Sequence, residues 1–409
     1  MALSRDARIL FAARSARLFA YGSIALILVL YLDRLGFDGA AIGLILSLTL
    51  IGDTIVSLWL TTHADRLGRK RILVTGAILM AAAGAIFAVT DAYPLLLVAA
   101  TIGVISPSGN EVGPFLAVEQ ASLAETVESR RRTGVFAWYN LAGSIATAFG
   151  ALVAGLAIES LRARGMDDIG AYRVIVIGYA GVGLALAILF GRLSPAVEVS
   201  HATDTSIARR LGLHRSRNVV LGLAGLFAID AFAGGLVIQS ILAFWFHETY
   251  GVSERLLGAI FFAANILAAA SALAAAWIAA RIGLINTMVF THLPSNVLLI
   301  LVPLMPNLPL AIAVLLGRFA ISQMDVPTRQ SYTIAVVDPD ERSAAAGVTG
   351  IARSTGAAIS ANLAGPLVAS PPLAALPFFI AGGLKIVYDL LLWASFRSRP
   401  VPGEDGPPH

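Results

Sequence analysis

Residues 63–71 read HADRLGRKR, a charged turn between two long apolar segments. Four cations (Arg66, Arg69, Lys70, Arg71) and one acid (Asp65) crowd into it, in a chain that is 57% hydrophobic and only 13% charged. Such a loop decides which face of a membrane it occupies, because cytosolic loops hold an excess of Lys and Arg. Outward from it, apolar runs of about 20 residues recur, each long enough to cross roughly 30 Å of hydrocarbon. Twelve candidate spans follow: 17–36, 40–62, 72–90, 94–118, 134–158, 173–191, 218–246, 255–280, 287–305, 309–333, 344–368 and 373–396.

The mean hydropathy of +0.81 excludes an ordinary soluble domain, whose apolar share is roughly 45–50%. Lipid offers no partner for bare backbone groups, so the spans are expected to be helices. Gly- and Pro-marked turns without alternating polarity argue against a β-barrel. The fold class expected is an all-α integral membrane protein with twelve transmembrane helices.

With a cytosolic N-terminus, inside segments hold 20 of the 29 Lys and Arg residues. Five (Arg34, Arg162, Arg164, Arg173, Arg255) fall outside, and four (Arg318, Arg329, Arg353, Lys385) fall within spans. The pI of about 9.6 is therefore an orientation signal and not a nucleic-acid footprint. It puts both termini in the cytosol, and a bacterial inner (plasma) membrane is the expected setting. No nucleic-acid partner is expected. Cysteine is absent, which excludes disulfides and thiolate metal sites. The start, MALSRDARILFAARSARLF, has the basic flank of a leader, but the apolar stretch is too long and lacks a small-residue cleavage site. It reads as a retained first helix.

The longest hydrophilic connection, Arg192 to Asn218, divides the spans six and six. The expected organisation is an N-terminal bundle at 1–192, a cytosolic linker at 193–217, a C-terminal bundle at 218–396 and a disordered tail at 397–409. A shift of 215 residues aligns Gly36 with Gly251, Gly43 with Gly258, Arg66 with Arg281 and Gly68 with Gly283. A shift of 213 aligns Pro114 with Pro327, Gly134 with Gly347, Val135 with Val348 and Gly143 with Gly356. The near-constant offset points to duplication, and paired repeats are an architecture of secondary transporters.

HADRLGRKR resembles the loop between helices 2 and 3 of the major facilitator superfamily, whose pattern is roughly G-x-L-A-D-R-x-G-R-K. Ala64, Asp65, Arg66, Gly68, Arg69 and Lys70 match; Thr61 and His63 depart from it. The resemblance implies two pseudo-symmetric six-helix bundles and transport by alternating access. It also implies that Asp65, Arg66, Gly68, Arg69 and Lys70 latch helix ends on the cytosolic side. The simpler alternative is that the cations only enforce topology. Gly68 has a reason of its own, since a tight reversal favours positive φ.

Charges inside a bilayer usually face a cavity or one another. Five acids (Asp53, Glu111, Asp230, Asp325, Asp389) and four bases lie in the spans, so a paired structural network is the plain reading. Proton coupling is the alternative for Glu111, Asp325, Asp230 and Asp53. Glu111 and Asp325 lie just before Pro114 and Pro327, where a proline tends to kink a helix. Arg353, Arg318, Gln239, Asn140, Asn110 and Gln323 are the expected substrate contacts, with Asp230 and Gln239 near one face of helix 7. An earlier start of helix 1 would turn Arg14 and Arg17 toward the cavity. Lys385 and Asp389, one turn apart, are expected to pair locally, and His292 to pack peripherally. Trp138, Trp245 and Trp393 read as interface anchors.

No Walker-type motif, metal spacing or nucleophile elbow stands out, so neither an enzyme nor a cofactor is expected. The leading expectation is a monomeric secondary transporter of a small organic solute, proton-coupled and directed toward efflux. Two alternatives stay open: uptake or uniport of an organic anion, suggested by Arg318 and Arg353, and a non-transporting sensor or scaffold on the same fold.

Overall fold

The structure, a computed structural model, describes residues 4–111, 113–127, 132–198, 214–338 and 341–397, without the side chains of 65, 66, 125, 132, 133 and 343. The expected latch residues Asp65 and Arg66 therefore lie outside the described side chains, and most of the linker and tail lie outside the described residues. Among the described residues the regular structure is helical throughout, and nine helices are long and apolar enough to cross a membrane.

Nine of the expected spans are single helices: α1 (Arg5–Arg34), α2 (Gly39–Leu67), α3 (Arg69–Val89), α6 (Arg132–Ala163), α7 (Asp168–Gly191), α10 (Glu254–Ile282), α11 (Leu284–Leu301), α14 (Arg342–Ala369) and α15 (Leu376–Phe396). The other three are broken. The fourth is α4 (Tyr93–Ile102) and α5 (Phe115–Thr126), the seventh is α8 (Arg217–Gly235) and α9 (Gln239–Tyr250), and the tenth is α12 (Leu308–Phe319) and α13 (Asp325–Ala335).

The expected proline kinks are thus full interruptions, for a local reason. Residues 106–114, SPSGNEVGP, combine two prolines with Gly109 and Gly113, whose φ values are +74° and +81°. A helix cannot pass through left-handed glycines, and it resumes where Pro114 caps α5. Pro327 sits in the first turn of α13, where its missing N–H costs no helical bond. Glu111 and Asn110 consequently lie in non-helical chain, and Asp325 opens a new helix.

Two compact units emerge: residues 1–203 with 238–265, and residues 204–237 with 266–409. In the first, α1 packs on α6, α7 and α9, α3 packs on α7, and α2 on α4. The window of α1 best suited to span is 83% buried and that of α7 only 28%, so α1 is central and α7 presents Ile177, Leu184 and Ile188 outward. In the second, α8 packs on α14 and α15, and α11 on α12, α13 and α15. Phe227, Met288, Tyr332, Tyr388 and Phe396 form an apolar core there.

Small residues mark the closest crossings. A Cβ on Gly22 would lie 2.1 Å from the Thr147 carbonyl oxygen between α1 and α6; one on Gly356 would lie 2.4 Å from that of Ala228 between α14 and α8. Backbones approach this closely only where a side chain is absent. Trp138 is exposed as an interface anchor would be, but Trp245 is buried against Phe246 and Tyr250.

Candidate functional site

The signature loop forms as a tight reversal: Gly68, at φ +95°, ends α2 and starts α3. Glu198 accepts hydrogen bonds from the backbone N–H groups of Arg69 (2.7 Å) and Lys70 (3.1 Å), neutralising the α3 N-terminus. Arg69 also donates to the Val197 carbonyl at 3.3 Å, and Lys70 Nζ to that of Leu193 at 3.1 Å. The two cations thus hold the chain that follows α7.

The first unit carries a buried charge cluster beside the break in helix 4. Arg17, wholly buried on α1, donates to Glu119 on α5 at 2.6 and 2.8 Å and to Glu111 at 3.0 Å. Its guanidinium also lies over the Phe115 ring, 4.4 Å from the centroid. Arg14, one turn earlier, reaches Glu111 at 2.5 Å and Asn140 Oδ1 at 3.2 Å. The Tyr139 hydroxyl donates to Glu119. Two guanidinium groups and two carboxylates make this group neutral as a whole.

Non-helical backbone at membrane depth is tolerated only where protein or water satisfies it. Here the carbonyl of Val104 takes the Tyr179 hydroxyl, that of Asn110 takes Ser106 Oγ at 2.7 Å, and that of Pro107 takes the Ser240 N–H at 3.2 Å. The Gly113 N–H donates to Asp53 Oδ1 across from α2. Asp53 also accepts from Ser57 at 3.1 Å. Among the described residues no cation comes within ion-pair distance of it. Gln239 Oε1 accepts from Asn265 at 3.2 Å in this same unit.

The second unit centres on Asp230. Its carboxylate takes Lys385 Nζ at 2.5 Å, Arg329 at 3.0 Å and Arg353 at 3.2 Å. Arg329 also binds Asp325, its i−4 neighbour, at 3.0 Å. Lys385 therefore pairs across helices and not with Asp389, contrary to the local pairing expected. Asp389 is held instead by His292 Nδ1 and Asn296 Nδ2, each at 2.9 Å. His292 is accordingly a buried partner of an acid. Arg318, in the last turn of α12, has an Nε without a hydrogen-bond partner and no acid within ion-pair distance among the described residues. Gln323 lies in the break that follows, its N–H 3.3 Å from Ser271 Oγ.

The structure thus gathers Glu111, Asn140 and Asp53 around the helix-4 break, and Asp230, Asp325, Arg318 and Arg353 around the helix-10 break. Helix 7 is interrupted between Asp230 and Gln239, which fall in different units. The Arg17–Glu119 pair escaped the sequence reading, since Glu119 lies just past the drawn end of span 4. The i, i+3 spacing of Arg14 and Arg17 was its one available sign.

The sequence model described as Major Facilitator Superfamily matches residues 10–361. The chain is 30% identical over 423 residues to an uncharacterized membrane protein of Saccharomyces cerevisiae, covering 96% of this chain and 94% of that protein. In structure it is similar to the nucleoside transporter NupG, with a TM-score of 0.75 and 15% identity over 97% of this chain and 100% of that one. It is likewise similar to a D-xylose-proton symporter, with a TM-score of 0.73 and 16% identity over 98% and 99%. At these identities the structural likeness is one of fold.

Proposed function

The chain belongs to the Major Facilitator Superfamily, and from that premise we propose that it is a proton-coupled secondary transporter of a small organic solute, working by alternating access. The observation that carries the coupling is Asp53. Of the four acids expected to bind protons, Glu111, Asp230 and Asp325 are each occupied by arginine or lysine, whereas among the described residues Asp53 has only neutral donors, Gly113 N–H and Ser57. A lone carboxylate in a low-dielectric interior carries its charge at a cost that one bound proton removes.

Asp53 is also mechanically connected. Its ionised form accepts the Gly113 N–H, so it anchors the end of the non-helical segment bearing Asn110 and Glu111. Protonation weakens an acceptor, loosening that anchor and allowing residues 103–114 to rearrange around Arg14 and Arg17. In this reading the two six-helix bundles, 1–192 and 218–396, are the moving halves. Residues 63–71 keep their latch role, both termini are cytosolic, and the protein works as a monomer in a bacterial inner (plasma) membrane.

The test uses the full chain in proteoliposomes with pyranine inside and a pH gradient imposed in either direction. Solute panels should include one member that moves protons in the wild type, and the productive gradient direction tests the expected efflux. Asp53→Asn should lose gradient-driven accumulation while retaining solute exchange without a gradient. Undiminished driven accumulation in Asp53→Asn would remove Asp53 from the coupling role.

A further inference from the structure

Near the helix-10 break the described side chains hold four fixed cations (Arg318, Arg329, Arg353, Lys385) and three acids (Asp230, Asp325, Asp389). The acids are already committed. Asp230 serves three cations on its two oxygens: Oδ1 takes Lys385, and Oδ2 takes both Arg329 and Arg353. Asp325 serves Arg329, and Asp389 is turned to His292 and Asn296. Arg353 touches Asp230 through one Nη alone and keeps 36% of its side chain accessible, against 9% for Arg329 and Lys385. Arg318 lies within the field of Asp230 and Asp325, as Arg353 does, yet donates to neither.

The plain alternative for Arg318 is its place in the last turn of α12, with the Phe319 ring 5.1 Å away. A helix C-terminus supplies only about half an elementary charge, and an exposed cation–π contact about 0.5–1 kcal/mol. Neither offers the paired oxygen acceptors that a guanidinium fork is shaped for. Cations inside a membrane protein find a partner or line a ligand path, and among the described residues no acid is left here to be that partner.

We propose that Arg318 and Arg353 form the binding site for the anionic group of the transported solute, a carboxylate, sulfonate or phosphate on a small organic molecule. This rests on the transporter reading above and adds the substrate class to it. The anion bridges the free donors of Arg318 and the accessible donors of Arg353, while Asp230, itself held by Lys385, holds Arg353 from behind. A solute without a negative charge leaves the surplus cation uncompensated and binds poorly.

The test is ligand-induced thermal stabilisation of the purified full chain in dodecyl maltoside at neutral pH, without any proton gradient. Its failure is therefore separable from failure of the coupling assay. Benzoate, succinate, glucose 6-phosphate and uridine monophosphate are each compared with benzamide, succinamide, glucose and uridine. At least one anion should raise the melting temperature where its neutral counterpart does not. Arg318→Gln and Arg353→Gln should weaken that anion about tenfold or more, the loss of one charge-assisted contact. Arg281→Gln, on a side chain stacked over Trp277, should leave it unchanged.

Arg318→Gln should melt no lower than wild type when unliganded, because it removes a half-buried cation that has no acid partner among the described residues. Arg318→Lys, which keeps the charge, should recover part of the affinity. A separate arm adds phosphatidylglycerol: stabilisation by that lipid alone assigns the arginines to a headgroup and overturns the solute site. So does stabilisation by the neutral members only, by no member, or by an anion whose effect survives both Arg→Gln changes.

Discussion

Removing Arg17 should expose how much of the first unit rests on charge pairing. Its guanidinium and the Glu119 carboxylate are both 0% exposed, joined at 2.6 and 2.8 Å, with Glu111 a further 3.0 Å from Arg17. With charge centres about 4 Å apart and an effective dielectric of about 20, each such contact is worth about 4 kcal/mol. Desolvation offsets much of that, so the intact pair contributes little net stability. Deleting one member is different, because it strands the other, and the cost is then about 3–5 kcal/mol.

Arg17→Leu and Glu119→Leu should therefore each lower stability by about 3–5 kcal/mol. The double variant should lose about 3 kcal/mol less than the sum of the two, the upper range of measured coupling energies. Glu111 limits the damage in Arg17→Leu, since Arg14 still holds it at 2.5 Å. The assay is unfolding of the purified chain in dodecyl maltoside titrated with dodecyl sulfate, followed by far-ultraviolet circular dichroism. Losses that add within about 0.5 kcal/mol would refute the reasoning, since independent sites behave that way. Packing around Phe115 and Tyr139 would then be the source of the cost.

Two further outcomes are expected elsewhere. Glu341, ahead of α14, accepts the backbone N–H groups of His214, Arg215 and Ser216 at 2.7–2.9 Å. Desolvation works against its charged form, yet the Arg215, His214 and Ser216 donors outweigh this and bring it from the usual 4.5 to about 2. A lowered acid gives stability that is complete above its unfolded value and lost as pH falls through the folded one. The melting-temperature gap between wild type and Glu341→Gln should hold above about pH 5 and narrow from 4.5 toward 2; a gap of full size at pH 2 would exclude the carboxylate as its source. At the α1–α6 crossing, a Cβ on Gly150 would sit 2.0 Å from the Phe19 carbonyl oxygen, whereas nothing lies within 4 Å of one on Gly347. In the same unfolding assay Gly150→Val should cost about 3 kcal/mol or more, while Gly347→Ala, in an open helix interior, should gain about 0.5–1 kcal/mol; equal effects would contradict the crossing geometry.

The drawn spans were legible because hydropathy accumulates locally along the chain. Each of the twelve met a helix or a pair of half-helices, and the family was carried by six matching residues of one loop. Even the breaks had a local sign in SPSGNEVGP and in Pro327, although a proline alone suggested a bend and not a gap. Boundaries were less secure: α1 begins at Arg5, not near residue 17, and that earlier turn brings Arg14 and Arg17 into the interior.

The sequence by itself thus determined the class of molecule and many of the charges that its spans enclose, but not Glu119. Only the tertiary structure decided who pairs with whom. Lys385 takes Asp230, 155 residues away, in preference to Asp389 one turn along its own helix. Asp53 is left with neutral donors while Glu111 gathers two arginines. The physical reason is that a span's hydrophobicity is a sum over neighbours in sequence. An ion pair depends instead on how each helix is rotated and set against others about 100 residues distant, where each residue turns the side chain by about 100°.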